Sequence, residues 1–65
     1  MIVRINSQSF ELPPGATLAD AVRAVQAVPP FAAAVNMQFV PNHQYANTPL
    51  KADDAIEIIR PVTGG

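Results

Sequence analysis

The chain of 65 residues has no cysteine, no tryptophan and a single histidine, His43. The absence of cysteine excludes a disulfide scaffold, a thiolate zinc site and a cysteine nucleophile. One histidine forms a metal site only where several carboxylates converge on it, so we expect no metal. Charge is also scarce, because 14% of the residues are charged and the net charge is −1. The basic residues are too scattered to form the basic face that binds nucleic acid: Arg4, Arg23, Lys51 and Arg60.

Long apolar runs are missing as well. No stretch approaches the roughly 20 apolar residues of a membrane span, and the first residues lack the pattern of a signal peptide. We therefore expect a cytoplasmic protein that binds no membrane. The length allows one domain, and it leaves little material for the cleft of about 300 to 1,000 Å³ that a small-molecule site needs. We expect no enzyme, no catalytic residue and no bound cofactor.

Apolar and polar residues alternate at both ends of the chain. Residues 1–6 and 8–12 predict two strands, which the turn-forming pair Asn6-Ser7 joins into a β-hairpin. A last strand is predicted over residues 55–60, with Ile56 and Ile58 inward and Glu57 and Ile59 outward. Short strands are also predicted at 31–35 and 37–41, around a turn at Asn36. Residues 42–49 indicate a loop with one helical turn, and Leu50 is expected in the core.

One helix is predicted after the first hairpin. Thr17 is the expected N-cap, with Asp20 three positions later as an acidic variant of the capping box. An apolar stripe follows at helical spacing: Leu18, Ala21, Val22 and Val25. Pro29-Pro30 should end the helix at or shortly before Val28. The elements together predict an α+β fold, a mixed sheet of about four to five strands packed on one main helix. We expect residues 1–60 to form the domain and residues 61–65 to form a flexible tail.

The tail ends in Gly64-Gly65. At an average glycine frequency of about 7%, such a pair occurs by chance in roughly one chain in 200. Glycine removes every Cβ and accepts any backbone conformation, so the tail can thread a narrow channel and present its carboxylate. Adenylation by ATP would activate that carboxylate. Because the chain has no cysteine, a thiol or persulfide that attacks the adenylate has to belong to a partner, and the product would be a thiocarboxylate on Gly65.

Four segments, "INSQSFELPPGATLADAV", "AAAVNMQFVP", "L..DDAIEII" and the final "GG", resemble the ThiS family, the sulfur carriers of thiamine biosynthesis. The resemblance implies a ubiquitin-like β-grasp fold, in which the last strand lies beside the first in parallel. It also implies that a ThiF-like adenylyltransferase, which uses ATP and magnesium, activates Gly65, and that Gly64 fits the channel. A cysteine desulfurase or related donor would supply the sulfur, and thiazole synthase would receive it.

The same topology suggests a docking surface for these partners. Ile2 and Ile59 face outward on strands that the β-grasp makes neighbours, beside the exit of the tail, and Arg60 would be the polar rim. Three alternatives stay open: a carrier for molybdopterin or sulfur amino acids, a ubiquitin-like modifier of lysines, and a binding module whose glycines are incidental. The neighbouring carboxylates Asp53 and Asp54 are expected in a solvated turn.

The chain departs from the family pattern at three turns. Ser7 and Met37 stand where family members often have glycine, and Ala52-Asp53 stands where they often have Gly-Asp. We expect locally altered turns and unchanged chemistry. The tail "RPVTGG" also differs from the more usual residues before the glycine pair, so the acceptor of the sulfur stays open.

Overall fold

Within residues 1–60, a five-stranded mixed sheet with one α-helix on its inner face forms the fold. The structure is a computed structural model and describes residues 1–60. The strands are β1 (Ile2–Ile5), β2 (Gln8–Glu11), β3 (Ala32–Val35), β4 (Gln38–Val40) and β5 (Ala55–Ile59), and the helix is α1 (Leu18–Ala24). The order across the sheet is β2-β1-β5-β3-β4, with β1 and β5 parallel and the other neighbours antiparallel. The predicted α+β class and the parallel placement of the last strand are confirmed.

The core lies between the sheet and α1. The alternating residues predicted to face inward are buried, and Ile5 and Ile56 are directly paired across the parallel strands. Leu18 and Ala21 of the helix cover them and are fully buried. The other buried apolar residues close the sides of this layer: Val3, Leu12, Ala16, Ala33, Tyr45, Leu50 and Ile58. The expected position of Leu50 in the core is therefore confirmed.

The helix ends earlier than the prolines predict, at Ala24. Gln26 adopts a left-handed conformation with φ of 55°, and its N–H donates to the carbonyl of Arg23. The next N–H, of Ala27, reaches back to the carbonyl of Val22. These two bonds form a Schellman motif, which satisfies the last helical carbonyls and stops the helix. The prediction that the helix extends to the neighbourhood of Val28 was wrong because this C-cap precedes the prolines.

Residues 42–50 pack beneath the helix. A 3-10 helix at Asn42–Asn47 buries Tyr45, whose ring stacks on Phe31 with centroids 5.9 Å apart. The N–H of Leu18 donates to the carbonyl of Thr48, and the N–H of Leu50 donates to the carbonyl of Ala16. The segment expected to be a loop with one helical turn is thus bound to the start of α1.

Candidate functional site

Residues 61–65, including Gly64 and Gly65, lie outside the described part of the chain. The structure describes what precedes them, namely strand β5 and the exposed Arg60. Strand β5 is the middle strand of the sheet and pairs on both sides. Its last residue, Ile59, lies opposite Ala32 of β3. The last strand before the glycines is therefore held by neighbours on both sides.

The side chain of Asn6 holds the end of β5. The chain turns after Ile5, and main-chain pairing between β1 and β5 stops there. Its last hydrogen bond is from the N–H of Asn6 to the carbonyl of Ile56, with a length of 2.9 Å. Beyond it, the N–H of Ile58 donates to Asn6 Oδ1 at 2.9 Å, and Asn6 Nδ2 donates to the carbonyl of Ile58 at 3.3 Å. A side-chain amide thus continues the strand pairing by two residues.

A second asparagine holds the start of β5. The backbone N–H of Asn36 donates to the carbonyl of Ala55 at 2.7 Å, and the N–H of Ala55 donates to Asn36 Oδ1 at 3.0 Å. The remaining amide group, Asn36 Nδ2, donates to the carboxylate of Asp54 at 3.0 Å. Asn6 and Asn36 occupy the first turn position of their hairpins, with φ of 52° and 50°.

Asp54 is buried, with 5% of its surface exposed, so the prediction of a solvated turn was wrong for this residue. Burial raises the pKa of Asp54, but hydrogen bonds from the N–H of Lys51 and from Asn36, together with the charge of Lys51, outweigh burial and lower it. The N–H of Lys51 lies 2.8 Å and its ammonium 3.5 Å from the carboxylate. Asp53 is exposed. The carboxylate of Asp54 therefore stabilises the turn before β5 by accepting hydrogen bonds within it.

The predicted docking pair does not come together. Strands β1 and β5 are neighbours, but their register pairs Arg4 with Ala55, which places Ile2 beside the beginning of β5. Ile59 is at the other end, level with the residues after β1. The offset is about six residues, or roughly 20 Å at 3.3 Å per residue. The expectation that Ile2 lies beside the exit of the tail was therefore wrong, whereas the outward orientation of Ile59 is confirmed, since 56% of its surface is exposed.

Other apolar residues surround Ile59 on the open face of the sheet, opposite the helix. Ala32 lies directly across from Ile59, Ala34 pairs with Glu57, and Phe39 lies across from Ala34. The phenylalanine is 69% exposed. We call the four residues Ala32, Ala34, Phe39 and Ile59 the open-face surface. The two small alanine side chains lie between the large side chains of Phe39 and Ile59, and Arg60 follows Ile59 at the edge of this surface.

Phe39 was absent from the residues predicted for docking. A signal for it exists, because Asn36-Met37 forms a two-residue hairpin turn that pairs Val35 with Gln38. Since side chains alternate along a strand, this turn places Phe39 on the same face as Ala32 and Ala34.

The described residues show two further properties. Within residues 1–60 there is no group of three or more histidine, cysteine, aspartate or glutamate side chains placed to hold a metal ion. None of the helices in the same range combines the length and the apolar character that crossing a membrane requires.

Comparison with known proteins completes the description. Residues 3–65 match the model of the ThiS family. No curated protein matches the chain. The fold is similar to the crystal structure of the thiamine biosynthesis protein (ThiS) from Geobacter metallireducens, with a TM-score of 0.82 and 16% identity over 100% of both chains. It is also similar to the solution structure of a thiamine biosynthesis protein from that organism, with a TM-score of 0.80 and 16% identity over 100% of this chain and 88% of the other.

Proposed function

The chain belongs to the ThiS family of thiamine-pathway sulfur carriers, and we propose that the carboxylate of Gly65 is the group that carries the sulfur. The match of residues 3–65 to the family carries this proposal, because the matched range includes the glycine pair. The position of β5 supports it, since a strand paired on both sides leads to these residues. In this role the protein is a co-substrate of its partner enzymes.

The chemistry follows from the carboxylate. An oxygen of Gly65 attacks the α-phosphorus of ATP on a ThiF-like adenylyltransferase that holds magnesium, and pyrophosphate leaves. A persulfide that a cysteine desulfurase or related donor has charged attacks the carbonyl carbon, and AMP leaves. A second thiol of a partner cleaves the sulfur–sulfur bond by exchange and releases the thiocarboxylate. Thiazole synthase then takes the sulfur, and Gly64 supplies the slender chain that enters each active site.

Docking on the open-face surface fits this reaction. Six peptide units separate Ile59 from Gly65, so the carboxylate reaches no farther than about 20 Å from the end of β5. The active site of an enzyme that acts on Gly65 therefore lies within about 20 Å of Ile59, and the nearest exposed apolar area is there, where Ala32 and Phe39 adjoin Ile59 and Arg60 adds a charge at the rim. Exposed apolar area of this kind is typical of the centre of a protein interface.

The test is the intact mass of the protein after incubation with a lysate of its host, ATP, magnesium and cysteine as sulfur source. We expect a gain equal to the difference between one sulfur and one oxygen atom, located in the peptide that contains Gly65. A chain without Gly65 is the control and should show no gain. Linkage to lysines of other proteins would instead favour a protein modifier, and an unchanged mass would favour incidental glycines. Purified thiazole synthase, added together with its own substrates as acceptors of the sulfur, should remove the added sulfur if the product is the thiazole. The sulfur should remain if the product is molybdopterin or a sulfur amino acid.

A further inference from the structure

The edge of β5 that faces β1 has two kinds of hydrogen bond. At the beginning of the strand the bonds are between main chains, from the N–H of Arg4 to the carbonyl of Asp54 and from the N–H of Asn6 to the carbonyl of Ile56, both 2.9 Å. At the end of the strand both polar groups of Ile58 bond to the side chain of Asn6. The last pairing on this edge before Arg60 thus depends on one side chain.

Asparagine is chemically suited to this position. Its amide presents one acceptor and one donor in a plane, as does the main chain of a strand residue. The amide can therefore take the place of the main-chain N–H and carbonyl that a longer β1 would present to Ile58. Asparagine also adopts the left-handed conformation more readily than most residues, and Asn6 has φ of 52°. The same residue therefore turns the chain and holds Ile58.

We propose that Asn6 is a positioning residue for the reactive carboxylate. The inference rests on the proposed function. By fixing both polar groups of Ile58, Asn6 sets the position and direction in which the chain leaves the sheet, next to the open-face surface on which the activating enzyme docks. Placement matters because a displacement of about 1 Å between reacting groups can reduce a rate about 100-fold. In this role the side chain of Asn6 acts through its two bonds to Ile58 and takes no part in the chemistry itself.

Asn36 provides a matched control within the same molecule. It occupies the same turn position, has nearly the same φ and binds β5 through its side-chain amide. Its contacts are at Ala55, four residues before Ile59 and at the opposite end of the strand. Replacement of either asparagine by glycine keeps the left-handed turn accessible and removes one set of side-chain bonds. Only the change at Asn6 removes hydrogen bonds at the end of β5, and it leaves the pairing of that end with β3 in place.

The experiment measures adenylation of Asn6→Gly, Asn36→Gly and the wild type by the purified activating enzyme of the host, with ATP and magnesium, as pyrophosphate release. Concentrations are corrected for the folded fraction of each variant. For Asn6→Gly we expect kcat to fall about tenfold or more, with a smaller rise of KM, because Ile58 adjoins only one of the four docking residues, Ile59, which stays paired with Ala32. For Asn36→Gly we expect both constants to stay within about twofold. Asn6→Asp, which keeps an acceptor for the N–H of Ile58, should recover part of kcat.

The outcomes separate the inference from the function on which it rests. Wild-type kcat for Asn6→Gly, an equal fall in both glycine variants, or no recovery in Asn6→Asp would overturn the positioning role and leave the carrier function intact. Absence of adenylation in the folded wild type would overturn the proposed function and the positioning role with it.

Discussion

Asn36 and Asp54, 18 positions apart in the chain, are joined by a hydrogen bond of 3.0 Å from the amide to a carboxylate that is almost fully buried. The contact connects the β3–β4 hairpin to the turn that precedes β5. Replacement of Asp54 by alanine leaves Asn36 Nδ2 and the N–H of Lys51 without this acceptor, so we expect a loss of about 1–3 kcal/mol in the free energy of unfolding. Urea denaturation of Asp54→Ala and the wild type measures this loss. Asp53→Asn, at the exposed neighbouring position, should change stability by less than about 0.5 kcal/mol.

The stability of the protein should fall in acid partly through Asp54. Its pKa is lower in the folded protein than its ordinary value, so its contribution is fully present above the unfolded pKa, about 3.9, and disappears as the pH falls through the folded pKa. Denaturation of the wild type and Asp54→Asn between pH 7 and pH 2 measures this. The difference in their free energies of unfolding should be constant above about pH 5 and shrink below about pH 4.

The pKa of Asp20 is also lowered in the folded protein, so Asp20 adds its own loss of stability in acid to that measurement. The N–H of Thr17 and then the guanidinium of Arg23 lower its pKa. Some loss of stability in acid should therefore remain in Asp54→Asn. A difference between the two proteins that does not shrink in acid would contradict the role assigned to Asp54.

Glycine at the hairpin turns should stabilise the protein. Met37 has φ of 69° and is 91% exposed, so its Cβ is strained in the left-handed conformation and its side chain contributes little packing. We expect Met37→Gly to raise the free energy of unfolding by about 0.5–1 kcal/mol. Thermal or urea denaturation measures this change. Met37→Ala keeps the Cβ and should give no gain, so equal effects of the two variants would contradict the explanation.

Docking should depend on the end of the sheet from which the tail departs. Ile59→Asp and Phe39→Asp each place a charge in the open-face surface and should weaken binding to the activating enzyme about tenfold or more. Titration calorimetry with the folded variants measures the Kd. Ile2→Asp is the matched control, because Ile2 is also exposed on the sheet but lies at its other end. We expect its Kd to stay near that of the wild type, and an equal loss in all three variants would contradict the assignment.

The elements were predictable because their signals are local. Alternation with a period of two identified the inward residues Ile56 and Ile58, both of which are buried, and Thr17 with Asp20 marked the start of the helix. The end of the helix was not predictable in the same way, because Gln26 adopts a left-handed conformation that is usual for glycine.

The candidate site depends on relationships that a single sequence does not contain. Asp54 looks like a surface residue until its distant partner Asn36 is known. The register of two parallel strands separated by some fifty residues decides that Ile2 lies far from Ile59, and nothing in the alternation of either strand encodes that register. Asn6 was recognised as a turn residue, but its bonds to Ile58 depend on the same register.

The central place of β5 also determines when the protein can fold. The β1–β2 and β3–β4 hairpins are local in sequence, but the strand that joins them is the last of the five to be synthesised. Until residues 55–59 arrive, each half exposes an unpaired edge, and contacts of such long sequence separation form late. Completion of the core and pairing of the strand that precedes residues 60–65 are therefore one event, so a chain that has not finished folding lacks part of the proposed docking surface, because Ile59 is not yet paired with Ala32. Under the proposed function, an activating enzyme would therefore act on completely folded molecules in preference to incompletely folded ones.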